Sequence, residues 1–166
     1  MPRKKKAYED TTVAISKSRE QIDRVLRAWG VTGVQWEDDY ENGCAQLRFR
    51  WKKEGSKEEF VARFRVDFDS EESILEQSKD LRSGQFSEKK HKRVLADRGK
   101  REHRILLNLL KNMMEAIEEG IIPAEALLLP WLEDAAGMTV YEKIEPRLAQ
   151  ISQTTIQKAL TEEKES

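Results

Sequence analysis

The 166-residue chain holds one cysteine, Cys44. An internal disulfide framework and a multi-cysteine zinc site are therefore excluded, which suits a reducing compartment and makes the cytoplasm the expected location. Histidine is nearly as scarce: His91 and His103 lie on one predicted helix, too far apart to be ligands on adjacent turns, and no His-Glu-x-x-His spacing occurs. A nucleophilic Cys44 would need one of these two as its base, and both fall on a different element, so a half-buried strand cysteine is expected. Glycines are scattered singly, which leaves no phosphate-cradling loop. No catalytic residue, metal or cofactor is expected from this inventory.

Long apolar runs are missing too. The longest, Ile121 to Leu132, is interrupted by Pro123, Glu125 and Pro130 and falls short of the ~20 residues a membrane span needs. The basic start, Arg3-Lys4-Lys5-Lys6, is followed by Ala7-Tyr8-Glu9-Asp10 where a secretory signal would turn apolar, so a secretory signal is not expected. With apolar residues at 38% and charged residues at 37%, the chain should have a modest core and solvated extensions. The expected organisation is a flexible basic arm over 1–15, one α+β domain over 16–151 with a linker at 69–87, and a polar tail over 152–166.

The periodic segments specify the fold. Ser18-Arg19-Glu20-Gln21 has the capping-box pattern and predicts a helix start, with Ile22, Val25, Leu26 and Trp29 as its apolar stripe and Gly30 as its end. Three β-type runs follow, over Val34 to Tyr40, Cys44 to Lys53 and Glu58 to Phe68. Asn42-Gly43 is a strong hairpin signal between the first two, and a charged turn around Gly55 joins the last two. Leu47, Phe49 and Trp51 alternate with Arg48, Arg50 and Lys52. Phe60, Ala62, Phe64, Val66 and Phe68 alternate with Val61, Arg63, Arg65 and Asp67. These runs predict a three-stranded antiparallel meander covered by the N-terminal helix, because an uncovered hairpin is marginal in water.

Residues 69 to 87 read as a loop with one short helical turn near Ile74 and Leu75. Ser87 to Glu119 reads as a long helix, with Leu95, Leu106, Leu110, Met113 and Ile117 on one side and a basic stripe of Lys90, Arg93, Arg101 and Arg104 on the other. Gly99 is a candidate break within it, and Gly120 its end. Pro123 opens a short helix through Leu129, after which Trp131 and Leu132 return to the core. The last stretch carries Tyr141, Ile144, Leu148 and Ile151 at helical spacing and is expected to dock on the domain.

Charge is segregated along the chain. Residues 79 to 104 hold 10 basic and 4 acidic side chains (10 − 4 = +6), and residues 105 to 166 hold 5 and 11 (5 − 11 = −6). The outward row of Arg48, Arg50, Lys52, Arg63 and Arg65 concentrates positive potential, since cross-strand neighbours lie about 5 Å apart. Like charges that close require an answer, either nucleic-acid phosphate or the acidic C-terminal segment. The expected function is non-catalytic nucleic-acid binding through the phosphate backbone, using that row together with Lys90, Arg93, Arg101 and Arg104. Inward-facing aromatics leave the outer face without a stacking platform for single strands. The first alternative is a protein-interaction module that uses the same arginines or the Ile121 to Trp131 segment. The second is a Mg²⁺-dependent nuclease-like enzyme using Asp67 and Asp69, or Glu37, Asp38, Asp39 and Glu41.

The segments Ser18 to Gly30, Leu47 to Trp51, Glu115 to Ile121 and Gly137 to Glu142 resemble small uncharacterised proteins of bacteriophages and related mobile elements. The likeness covers about half the chain. It implies a coherent fold and a mobile-element origin, and it brings no activity with it.

Overall fold

The computed structural model describes residues 7–8, 11–53, 55, 57–80 and 83–148, so positions 1–6 and 9–10 of the expected arm over 1–15, and the whole tail over 152–166, lie outside the described residues. The chain is α+β, with one helix, a three-stranded antiparallel sheet in the order β1-β2-β3, and a helical second half.

Helix α1 spans Ile15–Ala28 and starts a turn earlier than the capping-box pattern predicts. Ala14 takes the extended conformation of the cap, and the Ser18 amide bonds the Ala14 carbonyl at 3.1 Å. Ser18 is thus an interior helical residue, fully buried, with a hydroxyl that finds no partner among the described residues. Its small side chain is used for packing, and the capping box is a pattern without that geometry. Ile22 and Leu26 are fully buried, Trp29 stacks on Trp51 at 5.2 Å, and Gly30 ends the helix at φ +90°.

Strands β1 (Gly33–Asp39), β2 (Cys44–Lys52) and β3 (Glu59–Asp67) match the predicted runs to within a residue at most ends. Register pairs Trp36 with Leu47 and Leu47 with Phe64, which sends Leu47, Phe49, Ala62, Phe64 and Val66 into the core. Gly43 sits at φ +70°, and a Cβ there would lie 2.4 Å from the Phe68 carbonyl oxygen, so this turn admits only glycine.

The stretch after the sheet is more ordered than expected. Helix α2 (Glu71–Gln77) is capped by the Ser70 hydroxyl, which accepts the Ser73 amide at 3.2 Å. The expected long helix is two helices, α3 (Glu88–Asp97) and α4 (Lys100–Glu118). Gly99 at φ +72° redirects the chain between them, and a Cβ on it would approach Ile15 and Phe68 at 3.3 and 3.4 Å. Because of this break, Leu95 points to solvent, whereas Leu106, Leu107, Leu110, Met113 and Met114 on α4 are buried in one core with α1 and the sheet. Helix α4 is therefore a second cover for the sheet alongside α1. Helix α5 (Ala124–Leu128) and a 3-10 turn (Leu129–Trp131) follow, and Trp131 stacks on Phe64 at 4.8 Å.

Residues 132–133 and 139–140 pair with each other and with β3: the Glu133 amide bonds the Val61 carbonyl at 2.8 Å, and the Val140 amide bonds the Leu132 carbonyl at 3.0 Å. A last helix, α6, is described over residues 140–148. Thr139 and Glu142 form its capping box, with Thr139 N–H donating to Glu142 Oε2 at 2.8 Å and Glu142 N–H donating to Thr139 Oγ1 at 3.2 Å. The expected apolar stripe of this helix is not buried, since Tyr141, Ile144 and Leu148 are all exposed; the helix is tied to β3 instead by Glu142, which pairs with Arg63. Ile151 lies outside the described residues. No described helix is long and apolar enough to cross a membrane.

Candidate nucleic-acid interface

The alternation of β2 and β3 turns their arginines outward, as expected, and register sets Arg48 directly opposite Arg63. Two guanidinium groups so placed repel each other unless a counter-charge lies between them. Glu133 supplies it: its Oε1 is 3.1 Å from Arg48 Nε and 2.8 Å from Arg63 Nε, and its side chain is only 9% exposed. The angle at Arg63 leaves that buried Nε–H without a linear acceptor, so the contact there is Coulombic more than a hydrogen bond. Glu142 Oε2 accepts from Arg63 at 2.5 Å, and the Gly137 carbonyl accepts from the same guanidinium at 3.2 Å. Glu142 is held below the usual carboxylate range by the Thr139 amide first and by Arg63 in addition. Arg48 also lies 3.7 Å from Glu37.

The rest of the row is looser. Arg65 donates to Asp67 at 2.6 Å, and Arg50 lies 4.0 Å from Glu59; both arginine side chains are more than half exposed. Exposed pairs of this kind contribute about 0–1 kcal/mol and leave the cations accessible. Lys52 is exposed and faces Glu59 across the β2–β3 pair. The acidic C-terminal segment therefore neutralises the centre of the face, Arg48 and Arg63, and leaves its ends, Arg50, Lys52 and Arg65, open.

The predicted helix stripe is divided by the break at Gly99. Arg101 and Arg104 lie on α4 and are engaged, Arg101 with the Ala7 carbonyl at 2.9 Å and with Glu102, and Arg104 with the Gln21 side chain at 2.6 Å. Lys90 and Arg93 lie on α3 with Lys89 and Lys92, and no residue of α3 is buried. Lys92 pairs with Glu88 at 2.7 Å, and Lys90 Nζ donates to the Lys79 carbonyl at 2.6 Å. Among the described residues, Lys89 and Arg93 have no ion-pair partner. Arg98, at the C-terminal end of α3, is a cation that the stripe did not include.

Most of the carboxylates considered for a metal are committed elsewhere. Asp38, on the same strand face as Trp36, accepts from both terminal nitrogens of Arg19, which hold it below the usual carboxylate range. Asp39 binds the Asn42 amide and side chain, Asp67 binds Arg65, and Asp69 binds the Ser73 hydroxyl at 3.1 Å. Among the described residues no three His, Cys, Asp or Glu side chains are grouped to hold a metal ion.

Sequence reasoning missed one polar cluster entirely. His103 is fully buried, its ring 5.5 Å from Trp36. Its Nδ1 lies 2.7 Å from the Gly99 carbonyl, which can only accept, and its Nε2 receives Arg19 Nε at 3.1 Å, which can only donate. The imidazole is therefore the neutral Nδ1–H tautomer. Burial, chiefly, pushes it below its ordinary value, and the Arg19 charge adds to that effect. No protein-family model, curated protein or solved structure matches the chain.

Proposed function

We propose that this protein is a non-catalytic binder of nucleic acid that contacts the phosphate backbone mainly through α3. The observation that carries the reading is a ten-residue helix with no buried residue and four basic side chains, Lys89, Lys90, Lys92 and Arg93, within two turns. Its only acids are Glu88 and Asp97, at its two ends. The open ends of the sheet face, Arg50, Lys52 and Arg65, are secondary contacts; Arg48 and Arg63 serve the fold, because Glu133 and Glu142 already balance them. The resemblance to mobile-element proteins suits an accessory factor of such an element.

The test is fluorescence anisotropy with a short DNA duplex over a salt series. Each phosphate-contacting cation lost should reduce the slope of log affinity against log salt by about 0.9. Lys89→Glu and Arg93→Glu are expected to weaken binding more than Arg48→Ala. Absence of binding at low salt overturns the reading.

A second reading has its own support. Tyr141, Ile144 and Leu148 form an exposed apolar stripe on α6 with the spacing used by helices that lie in a partner's groove. In that reading the protein is an adaptor or inhibitor of another protein. Ile144→Glu would abolish capture of that partner and leave duplex affinity unchanged.

A further inference from the structure

We infer that the cleft that α3 and Arg98 form with Asp69 and Gln77, at the two ends of α2, is a binding site for a phosphate-type oxyanion. Its volume is about 290 Å³, and its polar lining is Asp69, Gln77, Lys90, Arg93, Asp97 and Arg98. That is near the lower limit of small-ligand clefts, about 300 Å³.

Arg98 is the reason to expect an anion. It is 8% exposed, its guanidinium lies 5.1 Å from the Tyr40 ring centre and 5.0 Å from that of Phe68, and one terminal nitrogen donates to the Tyr40 carbonyl. Among the described residues its buried Nε–H has no acceptor, and no carboxylate lies within ion-pair distance of it. A buried cation without a counter-charge is costly, and two aromatic faces offset only part of that cost. The two acids of the cleft do not supply the missing charge: Asp97 accepts from Lys100 at 3.0 Å and Asp69 from the Ser73 hydroxyl at 3.1 Å.

The other donors suit the same ligand. Arg93 is exposed and without an ion-pair partner among the described residues. Lys90 Nζ is held by the Lys79 carbonyl at 2.6 Å, which uses one of its protons and leaves the others for a ligand. Two guanidinium forks and an ammonium group are the donor set that tetrahedral oxyanions favour. The phosphate has two sources, the free anion or a nucleic-acid backbone. The inference rests on the nucleic-acid reading only for the second.

Thermal unfolding of the full chain in sodium phosphate, against sodium chloride of equal ionic strength, tests it. At a concentration about tenfold above Kd, phosphate should raise Tm by about 3 °C. Arg93→Gln, on the surface, and Arg98→Met, which replaces an unpaired buried cation with an apolar chain, should both remove the shift. Arg98→Met should unfold in chloride at a Tm no lower than the parent's, which keeps a folding failure from imitating the result. Equal Tm values in the two salts, or a shift retained in Arg93→Gln, overturn the inference. A short duplex assayed in parallel separates the sources. A phosphate shift without duplex binding supports a free-anion site and removes the nucleic-acid reading; duplex binding without a phosphate shift overturns this site and leaves the reading of α3 intact.

Discussion

Two residues show how buried charge is managed here, and each leads to a measurement. Glu133 balances Arg48 and Arg63 together, so Glu133→Gln leaves two facing guanidinium groups without their common partner. The expected loss is about 2 kcal/mol, read as a lower urea midpoint at unchanged slope. Arg63→Met combined with Glu133→Leu should recover part of it, because an apolar pair has no desolvated charge to satisfy. His103 predicts a pH dependence of definite sign. Its pKa is lower folded than unfolded, so the folded chain binds fewer protons, and the contribution is complete above the ordinary value of 6.5. It is lost as pH falls below that value, because a protonated Nε2 can no longer accept from Arg19, while Asp38 and Glu102 only partly compensate. Urea unfolding between about pH 5 and 8 should show stability falling on the acid side, and His103→Asn should flatten that dependence.

Among elements, what was legible followed from local periodicity. The period-two alternation and Asn42-Gly43 are local signals, and the sheet they predicted is present with its register. The start of α1 was misplaced because Ser18 fits a cap pattern but is more favourable as a small buried residue, a choice that packing makes. The α3–α4 break was half legible: Gly99 was visible, but the positive φ that turns the helix of Leu95 away from the core was not. The pairing of Arg48 and Arg63 with Glu133 joins residues 85 and 70 positions apart (133 − 48 and 133 − 63), and only the crowding of the arginine row together with the net acidity of residues 105 to 166 hinted at it. The Gly99 turn is itself testable. Gly99→Ala must hold a Cβ at φ +72° against Ile15 and Phe68, which should cost about 1–2 kcal/mol and lower Tm by about 4 °C.

On the scale of the whole molecule, the chain divides into a core that bears its stability and surfaces that do not. Phe49, Phe64 and Trp131 stack in succession, at 5.9 Å and 4.8 Å, joining the sheet to the 3-10 turn. Trp131→Ala should therefore cost about 3 kcal/mol. Tyr141→Ser and Ile144→Ser, at exposed positions of α6, should each change stability by no more than about 0.5 kcal/mol. Chemical denaturation of these three variants measures the contrast. Equal losses would mean that α6 is docked in solution.

The short pairing of Leu132 and Glu133 onto β3 has a further consequence for solubility. A sheet margin with unpaired backbone groups is a template on which other copies can add, and Phe60 to Val66 is a strongly β-forming sequence. Here the first part of that margin is already occupied by the chain's own Glu133 amide, and the remainder carries Arg65 and Asp67 as charged gatekeepers. A chain truncated after Pro130 would lose this cover and should aggregate through β3.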